Sequence, residues 1–176
     1  MVESLPSSIT GRVKIDLALE DNAWLEALPD APSAVEMAGT AVLDHVCPGP
    51  HLSMAVVLAD DQTVRALNAR WRNQDKATNV LSFPFEELSA GTMPSAHPGA
   101  PDDLPIELGD VVLARETVLR EADEAEIPIR NHLCHLVVHG SLHLLGYDHE
   151  ENEEADQMES LEIAVLAKLG IPNPSA

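Results

Sequence analysis

The segment His139–His149 reads HGSLHLLGYDH and is the most informative stretch of the chain. His139 and His143 are four residues apart, so on a helix they share one face with about 5–6 Å between their Cβ atoms. Gly146 is of the type that ends a helix in a left-handed conformation. A reversal there would return His149 toward the other two histidines. We therefore predict that the three side chains bind one metal ion and leave a coordination position open, as catalytic zinc sites do.

The residue after the first histidine argues against a protease. Metalloproteases with an H-E-x-x-H sequence carry their glutamate general base at that position. Here the residue is Gly140, which has no side chain. The sequence thus predicts a metal site similar to that of these proteases without their machinery for cleaving peptides.

The length and composition predict one domain that covers residues 1–176. A chain of 176 residues is long enough for a substantial hydrophobic core. It has no apolar run of about 18 residues and no signal-peptide pattern at residues 1–6. Cys47 and Cys134 form neither a disulfide framework nor a C-x-x-C pair, so we expect both to be buried apolar residues. These features together predict a cytoplasmic protein.

Strand and helix patterns alternate along the chain and predict an α/β (α+β) fold. This fold is one compact domain with a four-stranded mixed sheet packed against about five helices, and the metal site lies in its C-terminal helical part. The strands are predicted at Val13–Leu19, His51–Leu58, Asn79–Phe85 and Ile106–Ala114, and Pro84 indicates a strand end or a sheet edge. The helices are predicted at Ser33–Val46, Asp61–Arg72, Arg115–Glu126, from Pro128 through the first two histidines, and at Glu151–Leu169. Residues 89–105 are rich in proline, glycine and alanine and are expected to form a flexible loop, and residues 171–176 a tail.

The helix at Asp61–Arg72 is predicted to have Asp61 as its cap. Its apolar residues Val64, Leu67 and Trp71 follow the i, i+3, i+7 spacing of one helix face. We therefore expect all three of these side chains to be buried.

The net charge of −20 disfavours nucleic acid as a partner for most of the surface. Four of the ten cationic residues nevertheless fall within twelve residues: Arg65, Arg70, Arg72 and Lys76. This window has two interpretations. It is either a solvated helix end whose cations favour the C-terminal dipole, or an anion clamp in which an arginine near the metal grips a phosphate.

Three segments together resemble the YbeY family of bacterial endoribonucleases: Leu67–Pro84, Leu108–Val111 and His139–His149. The resemblance extends from about Val13 to Gly170, and every fixed position of the family's histidine motif is present. Two departures are a longer insertion around residues 89–105 and the high acidity.

The resemblance implies a metal-dependent endoribonuclease that acts on single-stranded RNA. It implies one zinc ion per chain, held by His139, His143 and His149, and a catalytic arginine at Arg72. The implied role is maturation of the 3′ end of 16S rRNA and late ribosome quality control, with the 30S or 70S ribosome and ribosome-associated proteins as partners. Arg65, Arg70 and Lys76 are then candidates for RNA binding.

Two routes for phosphodiester cleavage remain open, because no glutamate follows His139 and the general base is unassigned. Either an activated water attacks phosphorus, or the ribose 2′-hydroxyl attacks while the ion polarises a phosphoryl oxygen. In both routes Arg72 neutralises developing charge. Asp148 is either a hydrogen-bond partner for a ligand histidine, or a surface carboxylate or helix cap. His135 is a candidate for a position next to the metal ligands or for proton donation.

Two functions from other classes are also compatible with the sequence. In the first, the zinc is structural and the protein is a ribosome assembly factor with little nuclease activity of its own. In the second, the protein is a metallohydrolase that acts on a substrate other than RNA, such as a peptide or a small ester, although Gly140 disfavours the peptide version.

Overall fold

The computed structural model describes residues 12–96, 98–101 and 104–174. Residues 1–6, which showed no signal-peptide pattern, and parts of the predicted loop and tail lie outside these ranges. The described elements are β1 (Val13–Leu19), α1 (Ala23–Ala27), α2 (Ala31–Val46), β2 (Leu52–Ala59), α3 (Asp61–Arg72), β3 (Val80–Pro84), β4 (Ile106–Ala114), α4 (Arg115–Glu124), α5 (Ile129–Leu144) and α6 (Asn152–Lys168). The predicted α/β class, with a single domain and a four-stranded mixed sheet, is confirmed.

The strands are ordered β1-β2-β4-β3 across the sheet. β1, β2 and β4 are parallel, whereas β3 pairs with β4 in the antiparallel direction. β3 is therefore an edge strand that ends at Pro84. Both interpretations of this proline are confirmed, because a residue without an N–H is tolerated at an edge and at a strand end.

The hydrophobic core lies mainly on one face of the sheet, which α2 and α5 cover, and α6 packs on these two helices. α5 packs against α2, α4, α6, β3 and β4, so it has neighbours on most of its circumference. A smaller cluster lies on the other face, beneath α3, and its buried members are Ala59, Val64, Leu81, Val112 and Ala114. Towards the ends of β2 and β4 helices lie on both faces of the sheet, and the buried apolar residues there are continuous, as at Leu58–Ala59 and Val111–Ala114.

The prediction that Trp71 is buried is wrong, since 63% of this residue is exposed. Val64 and Asn68 are the buried residues of α3, and the guanidinium of Arg72 lies 5.5 Å from the ring centroid of Phe83. Leu67 is half-buried and packs against the same cluster as Val64. The prediction therefore fails only at the last turn, where Arg72 at i+8 rather than Trp71 at i+7 lies over the sheet. Arg72 occupies the position over the sheet that the sequence pattern assigned to the tryptophan.

The cap of α3 is also one residue earlier than predicted. The Asp60 side chain accepts a hydrogen bond of 2.8 Å from the Thr63 N–H, which makes Asp60 the N-cap. The Asp61 carboxylate instead accepts bonds from the backbone N–H and the hydroxyl of Thr117. Asp61 therefore joins α3 to α4.

A sixth helix, α1, was not predicted from the sequence. It has only five residues, too few for a periodic pattern of apolar side chains. Tertiary contacts hold it in place: Trp24 is fully buried, and its indole N–H donates to the Ala59 carbonyl at 2.8 Å.

Other element boundaries differ by one or two residues from the predicted ones. α2 begins at Ala31, with Pro32 in its first turn, where the missing N–H is tolerated. α4 ends at Glu124, before the positive φ of Glu126. Both cysteines are buried and free, as expected, and burial raises their pKa values. No helix within the described ranges combines the length and the apolar character that crossing a bilayer requires.

Candidate metal centre

α5 holds two of the three histidines at its C-terminal end. His139 and His143 project from one face of the helix, with 4.6 Å between their ring centroids. Their Nε2 atoms lie 3.1 Å apart. This is the geometry that the four-residue spacing predicts.

The turn after α5 brings the third histidine to the same place. Gly146 has a φ of +94°, and the Tyr147 N–H donates to the carbonyl of Leu142 at 3.0 Å. A Cβ atom at position 146 would lie 2.2 Å from the carbonyl oxygen of Leu88, so glycine is also needed for the close approach of that loop. The ring of His149 then lies 5.3 Å from that of His143.

The three side chains fit a metal ion. One nitrogen from each of His139, His143 and His149 lies within 4.8 Å of the others. Zinc–nitrogen bonds of about 2.0–2.1 Å in a tetrahedral arrangement would place the nitrogens about 3.3 Å apart, close to the separation within the helical pair. Burial, with smaller contributions from the two other histidines, lowers the pKa of His143 to about 4. A neutral imidazole is the form that binds metals.

Glu162 on α6 completes the surroundings of His139 and was not identified from the sequence. Its carboxylate lies 2.5 Å from Nδ1 of His139, and only 8% of the residue is exposed. Burial raises the pKa of Glu162, but the hydrogen bonds from His135 and His139 outweigh it and lower the pKa to about 2. A carboxylate on Nδ1 fixes the orientation of the ring and leaves Nε2 for the metal. The sequence signal was an acidic residue within the buried stripe of α6.

The two residues predicted to support the ligands lie in different surroundings. His135 directs Nε2 toward the second oxygen of Glu162, at 3.5 Å, so it is connected to His139 through that carboxylate. Asp148 lines the cleft and accepts a bond of 2.7 Å from the backbone N–H of His149. Its oxygen is 3.9 Å from Nδ1 of that histidine, too far for a hydrogen bond to the ring.

Gly140 faces the sheet, away from the histidine cluster. A Cβ atom there would lie 2.7 Å from a methyl carbon of Val111 and 3.1 Å from the hydroxyl oxygen of Ser82. The position that supplies the general base in H-E-x-x-H proteases is thus closed by close packing. A glutamate at this position would therefore clash with β3 and β4, on which α5 packs.

An open cleft of about 820 Å³ contains both the histidines and Arg72. The Arg72 guanidinium donates to the backbone carbonyl of Ser82 on β3. The Ser82 hydroxyl in turn donates to the carbonyl of Gly140 on α5 at 2.9 Å. β3 therefore connects the arginine to the helix that carries His139 and His143.

The other three cationic candidates differ in their contacts. Arg65 is paired with Asp75 at 2.8 Å, on an exposed surface. The Arg70 guanidinium lies over the ring of Trp71, 5.0 Å from its centroid. Lys76 is exposed, and its backbone carbonyl accepts a bond from the side chain of Asn68. None of these three side chains is among those that line the cleft.

Comparison with known proteins identifies the family. The family model described as Endoribonuclease YbeY matches residues 27–170. A protein of that name from Azorhizobium caulinodans is 45% identical over 168 residues, which cover 93% of this chain and 97% of that protein. Its namesake from a Bradyrhizobium species is 46% identical over 162 residues, 92% of this chain and 91% of the relative. A third, from Rhodopseudomonas palustris, is 55% identical over 123 residues, 70% of this chain and 67% of that protein. The chain that places three histidines and an arginine around one cleft therefore belongs to the YbeY endoribonuclease family.

Proposed function

We propose that this protein is a zinc-dependent endoribonuclease that cuts single-stranded RNA in the cleft between Arg72 and the histidine cluster. The observation that carries the proposal is that one open cleft is lined by Arg72 and by His139, His143 and His149. Membership of an endoribonuclease family supports RNA as the substrate. An open cleft suits an unpaired strand, whose backbone reaches the metal without a duplex around it.

The donor set favours zinc over the hard cations. Three imidazole nitrogens suit zinc and other borderline metals, whereas Mg²⁺ and Ca²⁺ prefer oxygen ligands. We assign His139, His143 and His149 as the ligands of one ion per chain. Bound there, the ion would supply Lewis acidity and an undiminished positive charge at the scissile phosphate, since all three ligands are neutral.

Arg72 is the proposed catalytic residue that binds the phosphate. Its guanidinium has five N–H donors in a planar fork, and the Ser82 carbonyl accepts from one terminal nitrogen. The remaining donors can bind the non-bridging oxygens of a phosphate in the cleft and stabilise charge that develops there. Glu162 keeps the ring of His139 oriented, and Asp148 holds the backbone N–H of His149.

We further propose that the RNA is the 3′ region of precursor 16S rRNA and that the protein acts in the cytoplasm on the 30S or 70S ribosome. The family resemblance supports this role in rRNA processing and late ribosome quality control. The net charge of −20 supports the participation of ribosome-associated proteins, because most of the surface repels RNA.

The test is cleavage of a single-stranded RNA that ends in the 3′ precursor of 16S rRNA. Metal-loaded wild-type protein is compared with His143→Ala and Arg72→Glu, and the metal content of each preparation is measured in parallel. We expect both substitutions to abolish cleavage, with metal lost only from His143→Ala. That pattern separates the role of the ligand from that of the arginine.

Other outcomes would contradict the proposal. Equal cleavage by all three proteins would identify a contaminating nuclease. Stoichiometric metal with no cleavage of any RNA would favour an assembly factor with a structural zinc, and Arg72→Glu should then still bind ribosomes. Turnover of model esters or peptides without RNA cleavage would indicate a different metallohydrolase.

A further inference from the structure

Trp71 is an exposed aromatic residue that directly precedes Arg72 in the sequence. It is 63% exposed, whereas Trp24, the other tryptophan of the chain, is fully buried. Only 3% of the residues are aromatic, so a large exposed indole is a distinctive feature of this surface. Its sequence neighbour Arg72 lines the cleft that contains the histidine cluster. Trp71 therefore precedes a residue of the candidate active site in the last turn of α3.

The indole of Trp71 has a cation on one of its faces. The guanidinium of Arg70 lies 5.0 Å from the ring centroid, within the range of a cation–π interaction. This contact restricts the rotation of the exposed side chain and leaves most of the indole accessible. A restrained, exposed ring loses little conformational entropy when a flat partner stacks on it.

Most of the cations that lack a carboxylate partner lie close to Trp71 in the sequence. Within the described part of the chain, six of the ten lysine and arginine residues have a carboxylate oxygen within 4.0 Å: Arg12, Lys14, Arg65, Arg115, Arg120 and Arg130. Of the remaining four, Lys168 lies 2.7 Å from His45. The other three are Arg70, Arg72 and Lys76, all within seven residues that include Trp71. Positive charge available to a phosphate is thus concentrated beside the indole.

We propose that Trp71 is the stacking platform for one unpaired nucleobase of the RNA strand whose phosphate Arg72 binds. The base lies against the indole, with Arg70 on the opposite face of the ring. This inference rests on the proposed endoribonuclease function and adds a subsite for a base next to the scissile phosphate. Stacking on an aromatic ring requires an unpaired base, so the platform also contributes to selection of single strands.

A stacking contact suits a protein of this charge. Attraction between phosphates and cations weakens steeply with salt, and here it must also overcome a net charge of −20. Stacking of a base on an aromatic side chain depends much less on ionic strength and accepts any base. An exposed tryptophan therefore supplies affinity that the few available cations cannot.

The experiment measures binding of a single-stranded ten-nucleotide RNA with 2′-O-methyl groups to the zinc-loaded protein. Wild type is compared with Trp71→Ala and Trp71→Phe, and integrity of the RNA is checked afterwards. Met37→Ala serves as a control, because Met37 is another exposed apolar residue, 41% exposed and in contact with Arg130 at the opposite end of α5 from the histidines. We expect Trp71→Ala to weaken binding about 5- to 100-fold, Trp71→Phe less, and Met37→Ala not at all.

Fluorescence identifies the contact directly. Stacking of a base quenches the emission of Trp71. Trp24 is fully buried, so RNA does not contact it and its emission should not change. We expect RNA to quench part of the emission of wild type and none of that of Trp71→Phe, although the phenylalanine variant still binds.

Abasic nucleotides separate stacking from a general effect on structure. One abasic position is moved along the RNA. In wild type we expect a single position to weaken binding, and in Trp71→Ala that position should lose its effect. Two outcomes would overturn the stacking site and leave the nuclease intact, provided that wild type binds this RNA and cleaves its unmodified form. One is an abasic profile in Trp71→Ala that equals that of wild type. The other is equal affinity of all variants for the RNA. Absence of any binding or cleavage by wild type would overturn both.

Discussion

Glu162 and His139 are joined across two helices, with 2.5 Å between a carboxylate oxygen and Nδ1 of the imidazole. The other ring nitrogen of His139 faces Nε2 of His143 at 3.1 Å. The docking of α6 on α5 therefore determines the orientation of a proposed metal ligand, so the proposed metal centre depends on more of the chain than the histidine motif.

Glu162→Gln should weaken zinc binding about 10- to 100-fold, because the amide is a poorer acceptor for the Nδ1 proton and orients His139 less firmly. Competition with a chromogenic chelator measures the affinity. Glu159→Gln, an exposed position on the same helix, is the matched control and should bind zinc as wild type does. Equal affinities for both variants would show that Glu162 is only a buried ion-pair partner.

Zinc should stabilise the folded protein through the histidine cluster. At a free concentration about 100 times its Kd, a ligand that binds only the folded state adds about 2.7 kcal/mol. For a chain of this size we expect the melting temperature to rise by about 5–10 °C. Calorimetry with and without zinc should show this shift for wild type and Arg72→Ala, but not for His149→Ala. A shift that persists in His149→Ala would place the metal elsewhere.

Gly140→Ala should destabilise the fold by about 1–2 kcal/mol, although alanine favours helices. Its Cβ would lie 2.7 Å from the β-branched Val111, whose short side chain cannot move aside without shifting β4. Gly39→Ala on α2 is the matched control. There the contacts at 2.8 Å are the terminal carbons of Ile15 and Met54, which can rotate away. Denaturant unfolding of both variants tests the difference, and equal stabilities would contradict it.

Asp60 should stabilise the protein in a manner that depends on pH. The hydrogen bonds from Thr63 hold the pKa of Asp60 below its ordinary value of 3.8. A carboxylate with a lowered pKa contributes its full stability above the unfolded value and loses it as pH falls through the folded value. Asp60→Ala should therefore lower the free energy of unfolding by about 1 kcal/mol at pH 7, and this difference from wild type should shrink as pH falls below the ordinary value of 3.8.

Asp60→Asn separates the cap from its titration. Asparagine caps helices about as well as aspartate but does not ionise in this range. Its free energy of unfolding at pH 7 should be close to that of wild type. The difference in this free energy between Asp60→Asn and Asp60→Ala should stay constant as pH falls. Urea unfolding at several pH values is the measurement. If the difference in stability between Asp60→Asn and Asp60→Ala also shrinks as pH falls, the pH dependence belongs to other carboxylates.

The sequence was most informative where one short segment determines the geometry. The grouping of His139, His143 and His149 depends on a helical spacing of four and a glycine three residues later, and both are local properties. Each β-strand was found within one residue at either end, because alternation and proline placement are also local.

Features that depend on tertiary contacts were harder to predict. Trp71 and Arg72 are adjacent, and which of them faces the sheet depends on how the inward face of α3 drifts along the helix. Glu162 lies in a helix rich in acidic residues, and its burial becomes evident only once α6 is docked on α5. The short helix α1 is held by the burial of Trp24, a contact that no local pattern encodes.

The clustered cations Arg70, Arg72 and Lys76 affect how RNA approaches the protein. Most of this acidic surface repels a polyanion. At physiological ionic strength the repulsion acts over about 8 Å. Within the described part of the chain, three of the four cations without a carboxylate partner, Arg70, Arg72 and Lys76, lie in one seven-residue segment. The charge distribution therefore favours encounters in which an RNA strand approaches the C-terminal end of α3, where Arg72 lines the cleft.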